Sequence, residues 1–445
     1  MAREAVAWED VQGLVLRGYD ALRYACYCLL EITDVAQAKS WMATLALTPG
    51  TESPKDEATH FALTAIGLKK LGLNDDQLKT FSIPFQQGLV AEHRSRILGD
   101  FGPNDPSSWE WGGDATVKLH ALLMLFDADA ARLADRATSL GQATTTGCRV
   151  LRTLDARSPD DGHDHFGFLD GISQPKIQEA PKADESSDVA AGEFVLGYPD
   201  GRGERQPVPA LDDKNEIGKN GTYVVLRQIE QDVGAFNHWL ETHGKTASER
   251  DALAAKVVGR WRDGRPLVAF ATPGTGQPAD AYFDFTEDRF GFKCPLGSHV
   301  RRANPRDDLR DSDQNDKESA DQSKKITAHH RIIRRGRIYG PLWRPTPEQP
   351  QPDASRRGLY FIGLNASISD QFEFIQQAWV NNPSFRGLYN EVDPLVGASV
   401  VAPRSFTVQA QPVRCRYANL PRFTTVRGGA YFFMPSLSAL RKLAA

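Results

Sequence analysis

The sequence lacks most of the features that mark membrane proteins, thiolate metal sites and nucleic-acid-binding proteins. No apolar run reaches the ~18 residues that a membrane span requires, and the opening MAREAVAWEDVQG lacks the charged-then-apolar pattern of an export signal. The 5 cysteines include no CxxC pair and no HExxH motif occurs, which disfavours zinc and iron–sulfur sites. A net charge of −4 leaves no basic excess for nucleic acid. We therefore expect a cytoplasmic protein that binds neither nucleic acid nor membranes.

A strand followed by a capped helix occurs twice in the chain. The length of 445 residues, with 40% hydrophobic and 25% charged residues, is typical of a globular protein of two or three domains. The apolar run Tyr24–Leu30 predicts a strand, and Asp34 is a suitable N-cap for the helical pattern after it. Tyr223–Ile229 and Asp232 repeat this arrangement, and in both copies a tryptophan falls seven residues after the aspartate. This spacing indicates a remote internal repeat.

Two further strand-and-helix units, with strands predicted at Val117–Phe126 and Gly358–Leu364, give each half of the chain two such units. Two βα units with extra strands favour a ferredoxin-like domain. The sequence therefore predicts an α+β fold of two ferredoxin-like halves with antiparallel sheets. We place the halves at residues 1–180 and 223–445, joined by an irregular connection, rich in proline, glycine and charge, at 181–222.

Charged residues dominate the stretch from Arg301 to Lys325, which has seven acidic and seven basic residues. So few apolar residues cannot bury a segment, and we expect a surface loop there. The pair His329 and His330 is then expected at the start of a strand.

Three side chains stand out as candidates for chemistry. Asp170 lies among apolar residues in FGFLDGISQP, where it either caps its own turn or takes part in a reaction. His299, in CPLGSHVRRANPR, is either a structural histidine or an axial haem ligand with basic neighbours that meet haem propionates. Arg334 lies in an apolar, strand-like segment and requires an anion to face, whereas Arg335 and Arg337 are expected to be exposed at a sheet edge.

Several segments, in the same order and over nearly the whole chain, resemble the dye-decolourising peroxidase family. They are DVQGLVLRG, GFLDG followed by ISQP, GEFVLGYPDG, GSHVRRANPR, RIIRRGRIYG, residues 358–382 and RGGAYFFMP. The resemblance implies a b-type haem (iron protoporphyrin IX) held in the C-terminal half near the interface of the two halves. It also implies a peroxidase that uses hydrogen peroxide to oxidise dyes, phenols or other bulky one-electron donors.

The resemblance also assigns roles to individual residues of this chain. It makes His299 the proximal iron ligand, Asp170 the distal acid–base group and Arg334 the distal arginine. Leu359 and Phe361 match the apolar distal positions.

Two further assignments follow from a looser match, namely Asp393 as the carboxylate partner of the proximal histidine and Arg306 as a propionate contact. Three alternatives remain open on the same sequence. They are a haem carrier or deferrochelatase-like protein, a cargo protein of a bacterial compartment, and a ferredoxin-like interaction protein without a cofactor.

Overall fold

The computed structural model describes residues 4–114, 118–142, 146–184, 186–274, 283–309, 317–344, 352–398 and 403–445. Within these residues the backbone forms eleven strands. They are β1 Tyr24–Ile32, β2 Glu57–Leu63, β3 Ala121–Asp127, β4 Cys148–Arg157, β5 Thr222–Gln231, β6 Ile333–Arg334, β7 Arg337–Tyr339, β8 Gly358–Asn365, β9 Ser405–Val408, β10 Cys415–Ala418 and β11 Thr424–Met434.

The first four strands form an antiparallel sheet in the order β4-β1-β3-β2. The later strands have the same order, β11-β5-β8 followed by β6 and β7. Both β6 and β7 pair with β8, and together they take the place of a second strand. Each set thus runs fourth–first–third–second, the ferredoxin-like arrangement. The α+β fold with two ferredoxin-like halves is therefore confirmed, while the boundaries at 1–180, 181–222 and 223–445 remain a prediction.

The two sheets join into one ring. Phe433 of β11 pairs with Leu63 of β2, and Arg157 of β4 pairs with Ile338 of β7. One face of these strands, including Tyr27, Tyr360 and many branched apolar side chains, packs into a single buried cluster. Side chains alternate along a strand, so the opposite face of β8 is left for the functional site.

Helices cover the outer faces of the ring. They are α1 Val35–Ala43, α2 Ala65–Lys70, α3 Asp75–Leu78, α4 Ile83–Gln87, α5 Glu92–Leu98, α6 Ala130–Gln142, α7 Val233–His243, α8 Ala247–Val258, α9 His299–Ala303, α10 Lys317–His329 and α11 Leu437–Ala444. Short 3-10 turns occur at Gly13–Val15, Gly102–Asn104, Pro106–Ser108, Ala191–Glu193, Thr286–Asp288 and Phe385–Gly387, and π-helical turns at Ser369–Glu373 and Ile375–Val380. None of the described helices is long and apolar enough to cross a membrane.

The two aspartate caps predicted from the sequence are confirmed. The side chain of Asp34 accepts a hydrogen bond from the backbone N–H of Gln37 at 3.0 Å, and that of Asp232 from Ala235 at 2.8 Å. Each bond satisfies one of the free N–H groups at a helix start. The sequence also predicted a strand from Val117, but 115–117 lie outside the described residues and β3 begins at Ala121.

The expectation of a surface loop from Arg301 to Lys325 is wrong. Arg301 and Arg302 are fully buried in α9, and Lys317 opens helix α10; 310–316 lie outside the described residues. The guanidinium of Arg301 donates to Asp308 at 2.7 Å and to Asp288 at 3.1 Å. Charges that pair in this way can be buried, which a count of charged residues does not reveal.

Two other local predictions are also wrong. His329 is the last residue of α10 rather than the start of a strand. Arg337 is buried and donates to the backbone carbonyls of Gly18, Tyr19 and Leu22. Arg335 is half-buried and donates to carbonyls of the N-terminal segment. Both arginines attach residues 14–22 to the segment 333–339 instead of facing solvent at an edge.

Candidate active site

A cavity of about 330 Å³ lies against the outer face of β5 and β8. Six of the seven residues singled out from the sequence line it, namely Asp170, His299, Arg306, Arg334, Leu359 and Phe361. The seventh, Asp393, is fully buried and bonded to His299. The fold thus brings together residues that are 223 positions apart in the chain, from Asp170 to Asp393.

His299 is held by a buried carboxylate. Its Nδ1 lies 2.9 Å from Oδ2 of Asp393, while Oδ1 of Asp393 accepts the backbone N–H groups of Leu395 and Val396, each at 2.9 Å. Burial acts to raise the pKa of Asp393, but His299 and these hydrogen bonds outweigh it and the pKa is lowered. The ionised Asp393 accepts a hydrogen bond from the Nδ1–H of His299, which leaves the Nε2 lone pair available to a ligand.

The same carboxylate makes the imidazole of His299 more basic. Burial acts to lower the pKa of the imidazole, but the charge of Asp393 and its hydrogen bond raise it overall. No group of the described residues forms a hydrogen bond with Nε2 of His299. His299 is the first residue of α9, and the residue before it is anchored to α8. The Ser298 hydroxyl donates to the Lys256 carbonyl at 2.5 Å, which holds the start of α9 in place.

Asp170 lies on an irregular loop that two glycines shape. Gly167 and Gly171 have φ values of +85° and +77°, a region that other residues adopt only with strain. The backbone N–H of Asp170 donates to the carbonyl of Gly162 at 3.0 Å, so the loop folds back on itself before the aspartate. Its side chain is left at the cavity wall.

Arg334 is attached to the other end of this loop. Its Nη2 donates to the carbonyl of Ile172 at 2.8 Å, and its backbone N–H donates to Oε1 of Gln174 at 3.0 Å. The arginine of β6 and the aspartate of the loop are thereby held in one unit at the cavity. A preorganised cation beside a carboxylate can stabilise negative charge that develops during a reaction.

Leu359 and Phe361 form the apolar part of the wall. Both point outward from β8, since Tyr360 and Ile362, which alternate with them along the strand, belong to the inner cluster. A Cβ atom on Gly363 would lie 3.1 Å from the ring of Phe361, so a side chain at this position would crowd the ring.

The cavity also carries an excess of positive charge. Arg260, Arg306, Arg331 and Arg334 all line it. Burial lowers the pKa of Arg306 well below its usual range, and Arg331 and Arg260 lower it further. Burial and then Arg334 lower the pKa of Arg260 to about 10. Guanidinium groups gathered in an apolar cavity fit an anionic ligand such as the two propionates of a haem.

The residues in the cavity wall therefore can hold an iron porphyrin. The Nε2 atom of His299 would bind the iron, apolar side chains such as Val258, Leu359 and Val396 would contact the macrocycle, and the arginines would meet the propionates. Sequence reasoning missed Arg260 and Arg331 as cavity residues, although Arg331 opens the same RIIRRG segment as Arg334. Arg260 stands in no comparable segment, and only its position after α8 brings it to the site.

The neighbouring residues His329 and His330 form other contacts. The ring of His330 lines the cavity but stacks on Phe374 at 3.8 Å, and its Nδ1 bonds the carbonyl of Asp370. His329 forms ion pairs with Glu193 at 3.0 Å and Asp200 at 3.7 Å. Glu193, Asp200 and His329 lie close enough to hold a cation, but a protonated histidine between two carboxylates already explains the group.

Comparisons with known proteins identify the family. No protein-family model matches the chain. A multifunctional dye peroxidase of Amycolatopsis sp. is 31% identical over 361 residues, which is 76% of this chain and 74% of that protein. A crystal structure of a dye-decolorizing peroxidase mutant from Auricularia auricula-judae has a TM-score of 0.82 at 25% identity and covers 99% of this chain and 100% of its own. A dye-decolorizing peroxidase studied for sulfoxidation by engineering of its haem pocket has a TM-score of 0.81 at 25% identity, with 99% and 100% covered.

The chain belongs to the dye-decolourising peroxidase family. It is accordingly a peroxidase, an oxidoreductase of a haem-enzyme family. The family, the fold class and the enzyme class that the sequence predicted are thus confirmed.

Proposed function

We propose that the chain binds a b-type haem through His299 and uses hydrogen peroxide to oxidise dyes, phenols and other bulky one-electron donors. The observation that carries this proposal is the pairing of His299 with Asp393 in a cavity that also holds Asp170 and Arg334. Each turnover consumes one hydrogen peroxide, two electrons from two donor molecules and two protons, and releases two water molecules. The haem, when bound, supplies the iron that accepts peroxide and stores both oxidising equivalents.

The side chains of the cavity would move the protons. Asp170, as a carboxylate, accepts a proton from hydrogen peroxide and returns it to the oxygen that leaves as water. The guanidinium of Arg334 stabilises the negative charge that develops while the O–O bond breaks. On the other side, the Nδ1–H of His299 donates to Asp393, which keeps Nε2 oriented as a strong electron donor.

Size selection follows from the apolar wall. Leu359 and Phe361 leave room for peroxide beside Asp170 and exclude a dye, so a bulky donor must give up its electrons from outside the cavity. Arg306 and the neighbouring arginines anchor the propionates. His299, Asp393, Arg334, Leu359 and Phe361 belong to the proposed half 223–445, while Asp170 comes from the half 1–180, so both proposed halves contribute to one site.

Reconstitution with haem tests the proposal. The parent protein should take up one haem, develop a Soret band and oxidise a phenol or dye only when hydrogen peroxide is present. An Asp170→Asn variant should keep the Soret band and lose most of the peroxide-dependent turnover, whereas in a haem carrier the turnover would be negligible in both proteins.

A further inference from the structure

A second carboxyl group, that of Asp164, lies in the cavity wall six residues before Asp170. Oδ1 of Asp164 accepts the backbone N–H of Phe168 at 2.9 Å, and Oδ2 accepts Nε2 of Gln231 at 3.0 Å. Protein surrounds the side chain apart from the surface that it presents to the cavity. Neither the family resemblance nor the mechanism above gives this carboxyl a role.

Asp164 forms three of the hydrogen bonds that close the turn from Asp164 to Phe168. The backbone N–H of Asp164 donates to the carbonyl of Phe168 at 2.8 Å, and its carbonyl accepts the N–H of Gly167 at 3.0 Å. The carboxylate adds the third bond, to the N–H of Phe168. Asp170 lies two residues after this turn, so the conformation of the turn contributes to the position of the carboxylate of Asp170.

Gln231 ties this turn to the sheet of the other half. It is the last residue of β5, in which Ile229 pairs with Leu359 of β8, and Gln231 lies two residues further along on the same face. The bond from Gln231 to Asp164 thus crosses from the proposed half 223–445 to the loop of the half 1–180. It fixes that loop relative to Leu359 in the wall of the cavity.

The charge of Asp164 also bears on Asp170. Burial raises the pKa of Asp164 to about 6, against the hydrogen bonds from Phe168 and Gln231, and the negative charge of Asp170 adds to the rise while Arg344 opposes it. Two carboxylates that face one cavity repel each other. Below about pH 6, Asp164 therefore carries a proton and adds no negative charge to the cavity.

We propose that Asp164 is a positioning residue of the peroxide site, which fixes the loop of Asp170 to strand β5 through Gln231 and limits the negative charge in the cavity. The inference rests on the proposed function, in which Asp170 is the acid–base group. Above about pH 6, a second negative charge would oppose the loss of a proton from peroxide, and the reaction with peroxide should slow.

Two substitutions separate the geometry from the charge. Asp164→Asn keeps an acceptor for the N–H of Phe168, and its Nδ2 could donate to Oε1 of Gln231, a buried atom with no hydrogen-bond partner among the described residues. The amide of Gln231 needs only to turn over for this bond to form. Asp164→Ala removes both bonds. Asp161→Ala is the matched control, because Asp161 accepts the N–H of His163 at 3.0 Å in the same loop but faces solvent.

Hydrogen exchange of the haem-free and haem-loaded proteins tests the geometry without reference to turnover. Asp164→Ala should speed amide exchange at residues 164–170 by about tenfold or more, while Asp164→Asn and Asp161→Ala should leave it close to the parent. Gln231→Ala should reproduce the effect of Asp164→Ala, and it keeps the question answerable if Asp164→Ala does not fold. Parental exchange in the folded Asp164→Ala or Gln231→Ala protein would overturn the proposal.

The rate of the haem absorbance change with peroxide, measured against pH, tests the charge. The parent rate should fall above about pH 6, Asp164→Asn should lack this fall, and Asp164→Ala should be about tenfold slower at every pH. An Asp164→Asn profile identical to that of the parent would refute the role of the charge. If Asp170→Asn alone slows the reaction, this inference fails and the proposed function stands; if Asp170→Asn reacts like the parent, the proposed function itself fails.

Discussion

The imidazole of His299 and the carboxylate of Asp393 lie 2.9 Å apart, with Asp393 fully buried and anchored by two backbone N–H groups. This contact joins the first residue of α9 to the segment at 393–396, which lies far away in the sequence. It defines which nitrogen of His299 faces the cavity, and the first two predictions concern its two partners.

Replacement of His299 by alanine should abolish tight haem binding. Among the described residues the only other histidine that lines the cavity is His330, whose ring is stacked on Phe374 and bonded through Nδ1. We expect a loss of most of the Soret absorbance, or a spectrum without an imidazole ligand. The measurement is haem content and spectrum after reconstitution, with His330→Ala as the control that keeps both; equal spectra for the parent and His299→Ala would show that the iron ligand lies elsewhere.

Replacement of Asp393 by asparagine should weaken haem binding without abolishing it. The amide removes the negative charge that polarises His299, but one oxygen remains to accept from Leu395 and Val396. Loss of a residue that orients a metal ligand typically costs about 10–100-fold in affinity. Transfer of haem to apomyoglobin measures the loss rate, and a rate equal to that of the parent would leave Asp393 with a purely structural role.

The local features of this fold could be predicted from the sequence. Asp34 and Asp232 cap helices because a cap requires only a side chain and an amide three residues away. The apolar run at β1 and its alternation likewise depend on neighbours in the chain. Even the ferredoxin-like arrangement of the halves follows from the order of such units.

Long-range pairings explain what the sequence did not reveal. Arg301 is buried because Asp288 and Asp308 meet it in space, and Arg337 because three backbone carbonyls near the N-terminus accept its hydrogen bonds. The role of Asp164 depends on Gln231, which lies 67 residues away. The residue types alone predict solvent exposure in each case, and only the resemblance to a family located Asp393.

Replacement of Arg334 by leucine should slow the reaction with peroxide and spare the haem. The guanidinium is held at the cavity by its bond to Ile172, and its loss removes a preorganised donor, which costs roughly 10²-fold in rate. Stopped-flow measurement of the peroxide reaction tests this expectation. Arg335→Leu is the control, since Arg335 donates to the carbonyls of Leu14 and Val15 and should affect stability more than rate. A parental rate in Arg334→Leu would assign Arg334 a structural role.

Replacement of His329 by glutamine should destabilise the fold in a pH-dependent way. The hydrogen bond and charge of Glu193 raise the pKa of His329 despite burial, with a further contribution from Asp200. A histidine whose pKa is higher in the folded than in the unfolded protein stabilises the fold fully at pH values below its unfolded-state pKa of about 6.5. This stabilisation disappears as the pH rises through the folded-state pKa.

We expect the free energy of unfolding of His329→Gln to be lower than that of the parent by about 2 kcal/mol at pH 5.5, as for the loss of a hydrogen bond to a charged group. The difference should be smaller at pH 9. Denaturant unfolding at both pH values, with haem content held equal, provides the measurement. His93→Gln serves as the control, because His93 is exposed and bonds only Gln87 among the described residues. A loss that is the same at both pH values would exclude the ion pair as its cause.

The oxidation of dyes should be fastest in the acidic range, at roughly pH 3–5, because the proposed base is a carboxylate. A free aspartate titrates near pH 3.9 and a free imidazole near pH 6.5, so a carboxylate base remains competent in acid where an imidazole is already protonated. Asp170→Asn cannot accept a proton, and we expect it to retain haem while the reaction with peroxide slows by about 10²-fold or more.

The experiment records the rate of the peroxide step from pH 3 to pH 8 for the parent and Asp170→Asn, with haem content and the Soret spectrum as controls for an intact site. The peroxide step is measured separately from dye turnover, because the donor reacts outside the cavity and its own protonation can shift the overall optimum. A parent rate that rises mainly between pH 5 and pH 7 would mean that a group with a higher pKa than a free aspartate accepts the proton. A profile unchanged by Asp170→Asn would reduce Asp170 to a turn residue of the loop that Gly167 and Gly171 shape.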